Sequence, residues 1–466
     1  MKTISLLFSF LLTILFGFLI LLNFITISFN YQYLLLYAGV ASIIYLILRV
    51  VGGSLDKKFN TSVQSFLDGK KKELFDDKGL IRTFGLLLIT LLPFLFYLLL
   101  LVLFAAIDFA LYGFSLISSL DRVPVFILIG LVAVPIGTGI AILVGFYYLL
   151  FPPKPKTIGI TITENEQKKL WELTRKISTE IKAKPIDKII ITPETGIGVY
   201  LEGNVFSTIF GGGKRVLKIG LYSLHNLTID ELGGILAHEY GHFSNRDTSW
   251  SSYTYSMGNS LTSALRSMPG PSKGGGCGVR LIMSLNPAFW LLLLYVMLYF
   301  KITNGFSRIR EVMADIMAMH MYGGRAFSNG LLKVAINDLV FSEIVQLGQI
   351  PKLLNEEKTI TNFSQLMDVA FNGLAKKDID ELRNNLLFIS QVHGNYDSHP
   401  ALKIRIDYAK KFDDVAEKDK NPARELFDDW DDIGNKVDEL DKSRLFYILR
   451  AYNAQPKAEE QKAEQK

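Results

Sequence analysis

Residues 83–107 read TFGLLLITLLPFLFYLLLLVLFAAI and contain no charged side chain. A bilayer-spanning helix needs about 20 mostly apolar residues. The interior of a water-soluble protein has no way to cover so unbroken a run of Leu, Ile and Phe. Working outward, the same absence of charge holds from Thr3 through Leu48 and from Val123 through Pro153. These runs predict four spans, near 4–28, 32–50, 83–108 and 124–151. The first is too long for a signal-peptide core of roughly 7–15 residues and no small-residue cleavage site follows it, so it reads as an uncleaved anchor. The chain is expected to be an α-helical membrane protein embedded in a lipid bilayer.

Orientation follows from the basic residues of the short loops. Arg49, Lys57, Lys58, Lys70, Lys71, Lys72, Lys78 and Arg82 crowd the loop between the second and third spans, while the opposite side has only Arg122. This places both ends of the four-span block, and the chain from Lys154 onward, in the cytoplasm. The loops account for the net charge of +5, which calls for no nucleic acid. A single cysteine, Cys277, excludes an internal disulfide.

After the Pro-rich exit FPPKPK the composition becomes that of a soluble α/β unit. Leu170, Leu173, Ile177 and Ile181 have helical spacing, with Thr163 and Glu166 as a capping-box start. DKIIIT, IGVYLEGNVF and RVLKIGLYSL read as strands, the last two separated by a turn at Gly211–Gly213. A second capping box, Thr228 with Glu231, opens a helix expected from Ile229 to about Phe243, with Asp230 and Glu231 at the positive end of its dipole.

That helix carries GGILAHEYGHFSNRD, residues 233–247. Residues four apart share a helix face, so His238 and His242 can aim two imidazoles at one metal ion. Glu239, about 100° around, can reach a water there. Zinc suits such a donor set and needs a third protein ligand. SRIREVMADIMA offers Glu311, with Asp315 on the same face to accept a hydrogen bond from a ligand histidine. Taken alone, these two residues read more readily as a surface carboxylate pair beside Arg308 and Arg310.

H-E-x-x-H followed by R-E-x-x-A-D on a later helix resembles the membrane-embedded zinc metallopeptidase family of the CAAX prenyl proteases and HtpX. HEYGHFSNRD is similar to that family's extended first motif, which includes Asp247, and DSHPALKIRI to its H-P-x-x-x-x-R-I segment, which supplies His399 and Arg405. The resemblance implies one zinc ion per chain on His238, His242 and Glu311, with Glu239 as base, in a mostly α, α+β zincin-like domain. His399 or Arg405 would then donate to a developing oxyanion. An extended substrate would pair with an edge strand at Val199, Tyr200 and Leu201. GIGVYLEGN stands where the family often carries an Asn-Ala-Phe-type segment, a departure that bears on specificity.

The chain thus divides into a four-span block (1–152), a first half of the peptidase domain (153–247), a helical hairpin (248–304), a helical second half (305–453) and a polar, disordered tail (454–466). His238 and Glu311 must meet, so both hairpin legs cross the membrane or neither does. The apolar second leg favours crossing, although Arg266, Lys273 and Arg280 then lie outside. The expected function is hydrolysis of membrane-associated or misfolded proteins. Processing of lipidated C-termini, or a catalytically silent zinc-bound scaffold, is the alternative. A transporter is disfavoured because the apolar runs lack charges that would mark an ion path.

Overall fold

Among the described residues the apolar runs fold as helices, because a backbone in lipid must satisfy its own hydrogen bonds. The computed structural model describes residues 31–70, 78–118, 123–151, 157–202, 213–242, 248–267, 287–350, 352, 363–389, 400–412 and 418–440. The expected first span, Gly211, Gly212, Asp247, Cys277, His399 and the 454–466 tail lie outside the described residues.

Helix α1 (Tyr31–Leu67) and α2 (Lys78–Ile117) run well past the apolar cores expected at 32–50 and 83–108, and α3 (Val125–Leu150) matches its run closely. Four described helices are long and apolar enough to cross a membrane, these three and the one that begins at Pro287. The chain is an α-helical membrane protein with a small sheet attached.

That sheet holds β1 (Ile160–Ile162), β2 (Lys188–Thr192), β3 (Ile197–Glu202) and β4 (Lys214–Gly220) in the order β1-β2-β4-β3. Only the β2–β4 pair is parallel. β1 is absent from the sequence reading: three residues are too short for an alternating pattern to show. β4 also ends sooner than expected, since Leu221–Leu224 closes into a 3-10 turn.

The first capping box needs correction. Helix α4 (Lys168–Ile181) begins at Lys168 with Gln167 at its N-cap, and the Glu166 carboxylate instead accepts the Thr163 N–H at 2.9 Å in the preceding turn. Gln167 is held there by a tertiary bond, its side-chain oxygen accepting the Asp428 N–H at 2.8 Å. The second box forms as read. Thr228 accepts the Glu231 N–H at 3.2 Å and Glu231 accepts the Thr228 N–H at 2.8 Å, opening α5 (Ile229–Gly241). The helix stops two residues short of Phe243.

Helix α6 (Thr248–Ser267) is the polar first leg of the hairpin. It is not among the helices apolar enough to cross alone, and Met257, Leu261 and Ala264 are buried in the core shared by the membrane helices. The second leg is the start of α7 (Pro287–Leu339). This helix runs through the boundary expected at 304–305, so the hairpin and the second half share one continuous element. Its single irregularity is Gly323, whose φ of 84° lies in a region open to glycine, and there the helix kinks.

Two cores meet along α7. Tyr295, Tyr299, Ile302 and Phe306 pack with α1, α2 and α6, whereas Met319, Tyr322 and Phe327 pack with the sheet, α4 and α5. At 1.5 Å per residue, Pro287 and Glu311 lie about 36 Å apart, against a hydrocarbon core about 30 Å thick. Glu311 therefore falls at the seam between the cores.

An ion pair unseen in the sequence holds this seam. Arg308, only 2% exposed, bonds to Asp56 of α1 and donates to the Asn60 side-chain oxygen at 2.7 Å. Removing one partner of a buried pair strands the other charge. Arg308→Ala is expected to destabilise the protein by about 3 kcal/mol, visible as a lowered melting temperature in detergent. An unchanged melting temperature would remove the pair from the forces joining α1 to α7.

Candidate metal centre and active site

After helices α8 (Phe363–Gly373) and α9 (Lys376–Ile389) comes α10 (Leu402–Ala409), and the site is assembled from α5, α7, β3 and α10. α5 brings His238 and His242 onto the face that meets α7. The fit is tight at Gly241, where a Cβ would sit 2.9 Å from the Ala314 Cα. A larger residue there would drive the histidine helix from the helix bearing Glu311 and Asp315.

His238 Nε2 lies 3.4 Å from Glu311 Oε2, and His242 Nε2 lies 3.3 Å from Glu311 Oε1. One ligand atom from each residue falls within 4.8 Å of the other two. Glu311 and Asp315 are buried, 6% and 2% exposed, so the possibility of a surface carboxylate pair is closed. The reason is tertiary: α5 and the α10 segment cover this face of α7.

His238 is oriented from behind. Its Nδ1 donates to Asp315 Oδ1 at 2.8 Å, and the ring stacks on Phe327 with centroids 5.9 Å apart. Burial disfavours the protonated ring, but hydrogen bonds to Asp315 and Glu311 outweigh it and push His238 up to about 9. That value belongs to the metal-free ring, with both nitrogens protonated and facing carboxylates.

Glu239 also reaches the sheet, where its Oε2 accepts the Val199 N–H at 3.2 Å. Burial raises its pKa above the usual carboxylate value, and the Glu311 charge adds to this against the pull of His238. β3 forms the sheet edge, paired with β4 along its length among the described residues. Val199, Tyr200 and Leu201 lie on it, and the Tyr200 hydroxyl meets the Thr157 hydroxyl at 3.2 Å.

Arg405 enters from α10. Its Nε and one terminal nitrogen donate to the two Asp315 oxygens at 2.9 and 2.6 Å, and the terminal nitrogen lies 3.4 Å from His238 Nδ1. The sequence pointed to Arg405 but not to this partner. It also missed Phe327, which no motif contains, and Arg310, which donates to the His242 carbonyl at 3.4 Å and so caps the histidine helix. Basic residues near a helix C-terminus are a known signal, yet this one comes from a different helix.

The donor chemistry fits a divalent cation. Two imidazole nitrogens and a carboxylate oxygen converge, the Nδ1 of one imidazole is held by a carboxylate, and Glu239 adjoins them. With the His238 ring neutral and the three carboxylates ionised, Glu239, Glu311 and Asp315 against Arg405 leave the pocket two negative charges in excess, the amount such an ion neutralises.

Residues 192–413 match the family model of Peptidase family M48. The chain is 35% identical over 75 residues to Protease HtpX of Psychrobacter sp. (strain PRwf-1), covering 16% of this chain and 23% of the relative. It is 33% identical over 87 residues to the Protease HtpX homolog of Pyrococcus abyssi (strain GE5 / Orsay), covering 19% and 28%. It is 30% identical over 109 residues to Protease HtpX of Cellvibrio japonicus (strain Ueda107), covering 22% and 36%. The chain thus spans about a quarter to a third of the length of the curated relatives it matches. No solved structure matches. The segment from 192 to 413, which brings both histidines, Glu311 and Arg405 together, matches the model of peptidase family M48 and is similar to the proteases named HtpX.

Proposed function

We propose that this chain is a membrane-integral zinc metalloendopeptidase that hydrolyses membrane-associated or misfolded proteins at the cytoplasmic face of the bilayer. The observation that carries this reading is the convergence of His238, His242 and Glu311 within 4.8 Å, with Glu239 next to the first histidine. His238, His242 and Glu311 would hold one zinc ion. Bound there, zinc would supply Lewis acidity, polarising a substrate carbonyl and making water a better nucleophile at neutral pH.

Glu239 accepts a proton from the attacking water as the water oxygen bonds to the carbonyl carbon. It then passes that proton to the amine nitrogen as the C–N bond breaks. Its raised pKa suits both transfers, since a base must also serve as the acid that follows. Asp315 keeps the His238 Nδ1 protonated, leaving Nε2 for the metal. An extended substrate adds to the edge of β3 at Val199 to Leu201, which no other strand covers among the described residues, and main-chain bonds there give affinity without fixing sequence.

The cytoplasmic assignment rests on α1. Its Asp56 bonds to Arg308, one helical turn from Glu311, so the Lys57 and Lys58 end of α1 lies level with the site. Basic ends of short loops face the cytoplasm.

The test is purified wild-type protein in detergent. Expected results are one zinc per chain and cleavage of an unfolded membrane protein that a chelator abolishes and zinc restores. Faster cleavage of a prenylated peptide would move the substrate to lipidated C-termini. Zinc-loaded protein that cleaves no soluble, membrane or prenylated substrate would reduce it to a zinc-bound scaffold.

A further inference from the structure

Arg405 is held against Asp315 and His238. Its side chain is 11% exposed, its guanidinium carbon lies 5.7 Å from the Phe327 ring centre, and two of its N–H groups run in parallel to the two oxygens of Asp315. A bidentate arginine–carboxylate fork fixes orientation as well as charge. The same Asp315 carboxylate holds the Nδ1 of His238 at 2.8 Å. The guanidinium fixes the carboxylate and the carboxylate fixes the ring whose other nitrogen faces Glu311, while one terminal nitrogen of Arg405 also lies 3.4 Å from His238 Nδ1.

We infer that Arg405 is a positioning residue that sets metal affinity by locking Asp315, and through it the His238 ring, in the metal-binding orientation. The inference rests on the reading of His238, His242 and Glu311 as a metal centre. Two physical effects follow from the fork. It removes the rotational freedom of Asp315, so the ring is held before the metal arrives. It also offsets one of three carboxylates in a buried pocket, where an uncompensated charge is costly.

The experiment measures the zinc dissociation constant by chelator competition on the full-length chain in detergent, for wild type, Arg405→Ala, Asp315→Asn and the double variant. Arg405→Ala is expected to weaken zinc binding about 10–100-fold, the range of outer-shell substitutions. Because Arg405 works through Asp315, the double variant should bind within about twofold of Asp315→Asn alone. Guanidinium added to the buffer should restore part of the affinity of Arg405→Ala and none of that of the double variant. Arg405→Lys, which keeps the charge and loses the fork, should fall between wild type and Arg405→Ala, and it carries the test if the alanine variant does not fold.

Wild-type affinity in Arg405→Ala with peptidase activity lost would overturn the inference and make Arg405 a group that touches the substrate. Fully additive losses in the double variant would overturn it equally, since Arg405 would then act independently of Asp315. If wild type itself binds no zinc, the metal reading fails as well, which separates the two failures.

Discussion

Glu239→Gln is expected to lower peptide hydrolysis by about 10²–10⁴-fold while leaving zinc bound. Glutamine keeps the length and shape of the side chain, and its amide oxygen can still accept the Val199 N–H that Glu239 accepts at 3.2 Å. It cannot take a proton from water. Glu239 is not one of the three converging ligand residues, so the metal loses no ligand. The measurement pairs zinc content with the initial rate of cleavage in the same preparations. A glutamine variant that cleaves at the wild-type rate would assign the proton transfer to another group. A variant that loses its zinc would instead make Glu239 a contributor to metal binding.

Zinc uptake is expected to release protons at neutral pH, and zinc affinity to fall by about tenfold for each pH unit below pH 9. The sign follows from His238. Its metal-free ring is pushed up to about 9 by hydrogen bonds to Asp315 and Glu311 working against burial. Below that pH the ring carries a proton on Nε2, which zinc must displace, so binding weakens as pH falls. Above it the ring is already neutral and the dependence flattens. Calorimetry at pH 7.5 in two buffers of different ionisation enthalpy counts the protons released. Chelator competition between pH 6.5 and 8.5 gives the slope. Release of no proton at pH 7.5 would mean that the metal-free ring is neutral, and that its two carboxylate partners do not act as their 2.8 and 3.4 Å distances imply.

Much of this chain is legible because its strongest signals are local. The spans at 83–108 and 124–151 follow from unbroken apolarity, which lipid demands over a fixed length. The Thr228–Glu231 cap and the alignment of His238 with His242 need only the helix repeat. Thr163 with Glu166 has the same capping pattern and fails as a helix start, because Gln167 is held by Asp428 far along the chain. A local motif can be overruled where a buried group needs a distant partner. Glu311 stands between these cases: its type and spacing to Asp315 are local, whereas its burial depends on what covers α7.

The sequence alone determined that this is a helical membrane protein and which helix face presents the histidine pair, because both depend on hydropathy and periodicity within a few turns. Only the tertiary structure showed Glu311 buried within reach of both histidines, Arg405 gripping Asp315 and Asp56 of a membrane helix reaching Arg308. Those partners are separated by 73, 90 and 252 residues of chain, counting from His238 for the first. No periodicity extends over such distances. What selects these contacts is the requirement that charges removed from water be paired, and a pairing becomes visible only once the two cores have closed along α7.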